Sequence, residues 1–101
     1  MNRWTEEDPW VWVLIQDPER NEQFLGQHDE ELDASFIPFF REKEEALSGL
    51  HVLSHEKGLK YEAQAIRYRV LAENAAQNGF QLFFLDGRGR ILEKLAPTPT
   101  Q

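Results

Sequence analysis

The segment YRVLAENAAQNGFQLFFLDGRGRIL, from Tyr68 to Leu92, decides the fold. Its first part has the composition of a short helix, and Gly79 predicts where that helix ends, because glycine commonly follows the last helical turn. The apolar run FQLFFL then predicts a strand, and the turn Asp86–Gly89 returns the chain into a second strand, since Asp-Gly favours hairpins. The segment therefore predicts a helix followed by a β-hairpin, and it contains no catalytic motif.

Three strands are predicted in residues 1–40. The continuous apolar run Trp10–Ile15 is rich in β-formers, which is typical of a strand that is covered on both faces in the centre of its sheet. A second strand is predicted at Gln23–Gln27 and a third at Ser35–Phe40. Pro38 has no backbone N–H, so it favours an edge or a bulge for the third strand.

Between these strands and the helix of the opening segment the pattern changes twice. Helical spacing begins near Arg41 and predicts a helix that ends at Gly58, although Gly49 offers an earlier break. The segment Lys60–Tyr68 then alternates apolar or small residues with polar ones, which predicts a half-buried strand.

These elements predict one small α+β domain at residues 1–95, followed by a polar, disordered tail at residues 96–101. A chain of 101 residues supports a single hydrophobic core. We expect a mixed, mostly antiparallel β-sheet of about five or six strands, with two helices on one face.

Composition excludes several classes of site and partner. The chain has no cysteine, which excludes disulfides and thiolate zinc sites. Its net charge of −7 counts against binding to nucleic acid or to an anionic membrane, because both carry the same sign of charge. The first residues lack the pattern of a signal peptide, and no apolar run approaches the roughly 20 residues that span a bilayer. We expect a soluble, cytoplasmic protein.

Two histidines give the most specific hypothesis for metal binding. His51 and His55 are four residues apart in the predicted helix, so both imidazoles would lie on one helix face. A zinc protease motif would need glutamate where this chain has Val52, and a third ligand would have to come from His28 or Glu56. Structural histidines at the surface are the favoured interpretation, and a metal site is the alternative.

Two other segments have part of the composition of a ligand site. Counted from Asp29, a calcium loop would need glycine at its sixth position and glutamate at its twelfth, but Ala34 and Phe40 stand there. We therefore predict a solvated acidic loop. The turn Asp86–Gly89 joins two strands and does not open a helix, so it is predicted to be a hairpin turn and not an anion cradle. We predict no cofactor and no catalytic residue.

The order of the elements resembles that of one known family. The segments SFIPFF at residues 35–40, AIRYRVL at residues 65–71 and GFQLFFLD at residues 79–86, separated by predicted helices, resemble the SseB-type domain, which is named for enhanced serine sensitivity. The chain is also similar to small bacterial proteins that have no assigned activity. The resemblance implies a mixed sheet with two helices and a bacterial, cytoplasmic origin, and it implies no catalytic residues.

A surplus of large aromatic residues leads to the predicted function. Three tryptophans and seven phenylalanines are many for a sheet that two short helices cover on one face only. We expect a non-catalytic protein-interaction or regulatory module that binds a protein partner or a second copy, with Trp10, Trp12 and Phe83 in its interaction surface. The alternative is a small-ligand or metal-binding protein that uses His51 and His55.

Overall fold

Three helices and seven strands are present in residues 2–97, which are the residues that the computed structural model describes. In chain order they are α1 (Arg3–Glu7), β1 (Trp10–Gln16), β2 (Gln23–Phe24), β3 (Gln27–Asp29), β4 (Ala34–Phe40), α2 (Lys43–Leu50), β5 (Tyr61–Arg67), α3 (Tyr68–Gln77), β6 (Gln81–Leu85) and β7 (Ile91–Leu95). One strand pair is parallel and the others are antiparallel, which confirms the predicted α+β class. The sheet has more strands than expected because the second predicted strand is divided into the short β2 and β3.

The sheet has the strand order β5-β1-β4-β6-β7. β1 is central, as predicted: it pairs with β5 along its whole length, and its other side is shared by β4 and β2. β4 pairs with β6 in the one parallel pair, and β3 pairs with the beginning of β4. Among the described residues, β5 pairs only with β1 and β7 only with β6, so these strands lie at opposite edges of the sheet, while the short β2 and β3 also have one partner each.

Pro38 lies in the middle of the central strand β4, so the predicted edge or bulge at this residue is wrong. β1 and β4 pair as far as Val13 and Phe39, and the next pair would join Leu14 to Pro38. Proline has no N–H to donate, and the Leu14 carbonyl instead accepts a hydrogen bond from the N–H of Leu25 at 2.9 Å. The missing donor thus accounts for the point at which β1 leaves β4 and pairs with the β2 region.

The two faces of the sheet carry separate hydrophobic clusters. α1 and α3 pack on the first cluster through Trp4 and Leu71, whereas α2 packs on the second through Ala46. The two predicted helices, α2 and α3, therefore lie on opposite faces of the sheet, and the helix that shares a face with α3 is α1, which was not predicted. The β4-α2-β5 connection runs outward across β1 and the β5-α3-β6 connection returns across it. Because crossovers between parallel strands are almost always right-handed, connections in opposite directions place their helices on opposite faces.

Helix α2 is shorter than predicted and ends at Leu50 instead of Gly58. Gly49 lies against the ring of Phe40, where an added Cβ would come within 2.7 Å of the ring. The N–H groups of Val52 and Leu53 both donate to the Gly49 carbonyl at 3.1 Å, which closes the last turn. Gly49 thus lets the helix end approach the sheet closely, and the helix stops one residue later.

Helix α1 is not predicted by the sequence pattern. Asn2 caps it, since its side-chain oxygen accepts a hydrogen bond from the N–H of Thr5 at 2.8 Å. Asp8 ends it in the left-handed conformation with φ of 46°, and its carboxylate accepts from the N–H of Arg69 at 2.9 Å. The short helix is thereby joined to the first turn of α3.

The helix and hairpin predicted from the opening segment are confirmed. Gly79 follows α3 with φ of 75°, and the β6–β7 turn is closed by Asp86. Asp86 Oδ1 accepts from the N–H groups of Arg88 at 2.9 Å and Arg90 at 3.0 Å, and Oδ2 accepts from Nε of Arg90 at 2.9 Å. These bonds, above all the one from the N–H of Arg90, hold the pKa of Asp86 below its ordinary value.

The predicted tail, residues 96–101, lies mostly outside the described residues. Residues 96 and 97 follow β7 without regular structure, and residues 98–101 lie outside the described residues. Among the helices of residues 2–97, none has the length and apolar character needed to cross a membrane.

Candidate interaction surface

The three residues predicted to form an interaction surface share the α2 face of the sheet but differ in exposure. Trp10 is 60% exposed, Trp12 is half-buried against the second hydrophobic cluster, and Phe83 is fully buried at 0%. Phe83 is therefore removed from the surface. Its ring stacks on that of Phe36 with centroids 4.1 Å apart, and the Lys94 ammonium lies 5.2 Å from its centre.

The reason for the predicted aromatic surplus is also corrected. The expected bare face of the sheet does not exist, because α2 covers the face opposite α1 and α3. Half of the twelve aromatic residues accordingly are buried in the core, and these are Trp4, Phe36, Phe39, Phe40, Tyr68 and Phe83. What remains at the surface is a local feature around Trp10.

Trp10 and Trp12 lie beside the edge strand β5. Across the β1–β5 ladder, Trp10 is opposite Arg67 and Trp12 is opposite the exposed Ala65. The Arg67 guanidinium lies 5.0 Å from the centre of the Trp10 ring, a cation–π distance. Trp10, Trp12 and Ala65 thus form an apolar strip, called the Trp strip below, in which the two tryptophans lie one strand in from the edge and Ala65 lies on the edge strand.

The alternation of hydrogen-bonded and non-hydrogen-bonded pairs between β1 and β5 shows which backbone groups of β5 point outward. Asp17 N–H donates to the Lys60 carbonyl at 2.8 Å, and Tyr68 N–H donates to the Pro9 carbonyl at 2.9 Å. Because hydrogen-bonded pairs alternate in an antiparallel ladder, the even-numbered residues of β5 bond to β1. The odd-numbered residues direct their N–H and C=O groups away from the sheet, and these are Tyr61, Ala63, Ala65 and Arg67.

β5 lacks two common features that hinder pairing at an edge, proline and a bulge. It contains no proline, and its register with β1 continues without a bulge from Trp10–Arg67 to Gln16–Tyr61. Two small residues, Ala63 and Ala65, occupy the middle of its α2 face. Within residues 2–97, β1 is the one strand that pairs with β5. The strand is therefore an accessible template for another strand.

A cleft of about 190 Å³ adjoins Trp10 at the end of β1. Arg3 and Arg41 line it together with Glu7. Among residues 2–97, neither arginine has a carboxylate oxygen within 4.0 Å. The cleft therefore adds two available guanidinium groups next to the Trp strip, and guanidinium groups suit the carboxylates of a binding partner.

The arrangement proposed for His51 and His55 is not present. α2 ends at Leu50, so His51 caps the helix and His55 lies in the following loop. Nδ1 of His55 is 2.9 Å from the Leu53 carbonyl, and its ring meets the edge of Tyr61 at 5.3 Å. Among residues 2–97, no three His, Asp or Glu side chains come together as metal ligands. The shared helix face on which the metal alternative depended is absent.

The acidic run is only partly the solvated loop that was predicted. Asp29 belongs to β3, and its carboxylate binds the Lys94 ammonium at 3.0 Å. Glu31 also reaches Lys94, at 3.7 Å, whereas the other acids of the run are exposed. His28 lies 3.3 Å from Asp33. This run therefore fixes the position of Lys94 above the core.

Sequence reasoning identified Trp10 and Trp12 but missed the free edge beside them. The alternation of Tyr61, Ala63 and Ala65 with polar residues correctly indicated a half-buried strand. Alternation does not reveal a strand's neighbours, because a central and an edge strand with one covered face have the same period. The two alanines were the available indication of an uncrowded strand.

Comparison with other proteins gives no relative from which a role could be transferred: no family model, no curated protein and no solved structure matches this chain.

Proposed function

We propose that this protein is a non-catalytic protein-interaction or regulatory module that binds its partner through the Trp strip and the adjoining edge of β5. One observation carries the proposal: a tryptophan that is 60% exposed stands beside a seven-residue strand whose outer side has no paired strand among residues 2–97. Tryptophan provides a large contact area with few rotatable bonds, and it is enriched where proteins bind one another. Strand addition at an edge is a common way to bind a protein segment.

The charge distribution supports a protein as the partner. The chain carries a net charge of −7, which opposes nucleic acid and anionic membrane surfaces. The arginines Arg3, Arg41 and Arg67 nevertheless lie around Trp10, where they suit the carboxylates of a protein surface. A bacterial, cytoplasmic setting and the resemblance to the SseB-type domain remain parts of the proposal.

The proposal is tested by placing a photo-crosslinking amino acid, benzoylphenylalanine, at Trp10 in cells that produce the protein. Its matched control places the same amino acid at Leu92, which is 54% exposed on the opposite edge strand. We expect discrete crosslinked products from the Trp10 position in clear excess over those from the Leu92 position. Equal or absent crosslinking at both positions would overturn the proposal. Substitution of Trp12 is a poor test, because its half-buried ring packs on the core.

A further inference from the structure

We propose that the partner is a second copy of this chain, bound through antiparallel pairing of the two β5 strands about a two-fold axis at Gln64. This inference rests on the proposed function and assigns its partner. The outward backbone groups of β5 belong to Tyr61, Ala63, Ala65 and Arg67. These four residues are spaced symmetrically about Gln64. A second β5 strand in antiparallel orientation can therefore pair its own four outward residues with them in a single register.

In that register Ala63 lies opposite Ala65 of the second copy, and Tyr61 lies opposite its Arg67. Each pair exchanges backbone hydrogen bonds, because both members direct their N–H and C=O groups outward. The small alanine side chains limit the crowding on the α2 face, where the two sheets would join. Gln64 lies opposite Gln64 of the second copy. These two residues exchange no backbone hydrogen bonds with each other, and in such a pair the two Cα atoms are about 4.5 Å apart.

The charges at the ends of β5 favour the antiparallel orientation. Glu62 lies near one end of the strand, and Arg67 lies at the other. Arg67 belongs to the α2 face and Glu62 to the opposite face, so the two do not pair, and antiparallel pairing instead places each Arg67 opposite Tyr61 of the second copy. It also keeps the two Arg67 side chains about 20 Å apart, the length of six strand residues. Parallel pairing would place like charges side by side, which is unfavourable.

The Trp strip gives such a pair the apolar area that backbone bonds do not supply. Stable interfaces usually bury more than about 1,200 Å² in total, and two short strands alone bury less. Trp10 lies one strand from the edge, about 5 Å, so partner side chains that cross β5 can reach its ring. Leu47, which is 42% exposed, adds apolar surface on α2, the helix over β1 and β5.

Each copy carries a charge of −7, so two copies repel one another at long range. Salt screens this repulsion, with a Debye length of about 10 Å at 0.1 M ionic strength. The pairing is therefore expected to strengthen when the salt concentration is raised. An interface held mainly by ion pairs would show the opposite salt dependence.

Disulfide trapping tests the register directly, because the natural chain has no cysteine. In a Gln64→Cys variant the two thiols face each other across the axis, at a Cα separation suited to a disulfide. We expect mild oxidation to convert most of this variant to a dimer of twice 11.9 kDa. A Leu92→Cys variant, exposed on the other edge, is the control and is expected to remain mostly monomeric.

Sedimentation velocity of the unmodified protein is the second measurement. We expect a monomer–dimer equilibrium that shifts to dimer with concentration, and an Ala65→Lys variant whose dissociation constant rises at least about tenfold. Ala65 is exposed, so this variant is expected to keep the wild-type circular dichroism and melting temperature. If it unfolds, Gln64→Cys trapping still decides the question.

Two results would overturn the inference: a monomer at all concentrations, or equal disulfide formation by the Gln64→Cys and Leu92→Cys variants. The proposed function fails separately. Crosslinks from the Trp10 position to a different protein, with no dimer of this chain, would retain the interaction module and remove the second copy as its partner.

Discussion

Strands β5 and β7 lie at opposite edges of one sheet, and β7 carries two features that hinder pairing with another chain and that β5 lacks. β7 contains a register shift opposite Phe84 and Leu85, and Lys94 points inward over the ring of Phe83 to bind Asp29. Bulges and inward-pointing charges are common means of protecting a sheet edge. β5 has seven residues in unbroken register, with alanines at its centre. The difference indicates that the β5 edge is the one suited to binding.

The largest effect on stability is expected from Phe83→Ala, because Phe83 is buried in the core beside β7. The comparison with Trp10, on the surface beside β5, contrasts a core residue with a surface residue. Loss of a buried phenylalanine side chain typically lowers the free energy of unfolding by about 3–5 kcal/mol. Trp10→Ser is the matched change at the Trp strip, and a mostly exposed side chain usually costs less than about 1 kcal/mol. Urea unfolding of both variants checks the contrast. Similar stability of the two would place Phe83 outside the core.

The next effect tests the alternation along β5. Gln64→Pro removes an N–H that bonds to β1 opposite Val13, and an unsatisfied buried group costs about 1–3 kcal/mol. Ala65→Pro removes an outward N–H, so its loss of stability is expected to be clearly smaller. Denaturant unfolding at a concentration where the protein is monomeric distinguishes them. Greater destabilisation by Ala65→Pro would show that the outward and inward residues are interchanged.

A smaller effect is expected in the turn that leads into β7. The folded-state pKa of Asp86 is below its ordinary value of 3.8, so its stabilisation is present above that pH and is lost as the pH falls through the folded-state pKa. Asp86→Asn is therefore expected to lower the melting temperature by a few degrees at pH 7, and the difference should shrink at strongly acidic pH. A difference that stays constant down to pH 2 would contradict the assignment of these hydrogen bonds.

The smallest effect is expected from Lys94→Met, which keeps an apolar side chain over Phe83 and removes the ammonium. The hydrogen bond with Asp29 is the main cause that raises the pKa of Lys94 above its ordinary value of 10.5. Its stabilisation is present below that value and is lost as the pH rises through the folded-state pKa. Thermal melts should show the wild type slightly more stable at pH 7 and equal to the variant at strongly alkaline pH. Equal melting temperatures at pH 7 would mean that the Lys94 ammonium contributes no measurable stability to the folded protein.

The sequence contained most of the local structure. The apolar run of β1, the glycine stop at Gly79 and the Asp-Gly hairpin are local signals, and each lies where the pattern predicted it. The end of α2 was not predictable in the same way. It depends on the contact between Gly49 and the ring of Phe40, two residues that meet only when the helix docks on the sheet.

The candidate surface was predictable only in part, because exposure is a property of the assembled fold. Trp10 and Phe83 have similar local sequence patterns, each within an apolar strand, but the structure exposes one and buries the other. Phe83 is covered by the stacked ring of Phe36 and by Lys94, whereas Trp10 stands at the first residue of β1. Likewise, the edge position of β5 depends on the long connections that carry α2 and α3 across β1, and a period of two residues contains no information about them.

Hydrogen exchange of the β5 amides, followed by NMR at low and high protein concentration, tests the central claim most directly. The amides of Glu62, Gln64 and Ile66 bond to β1 and should be protected at every concentration. The amides of Ala63 and Ala65 point outward and should gain protection only as the concentration rises, while the β7 amides stay unchanged. Exchange at Ala63 and Ala65 that remains equally fast at all concentrations, or protection gained on β7 instead, would contradict the account.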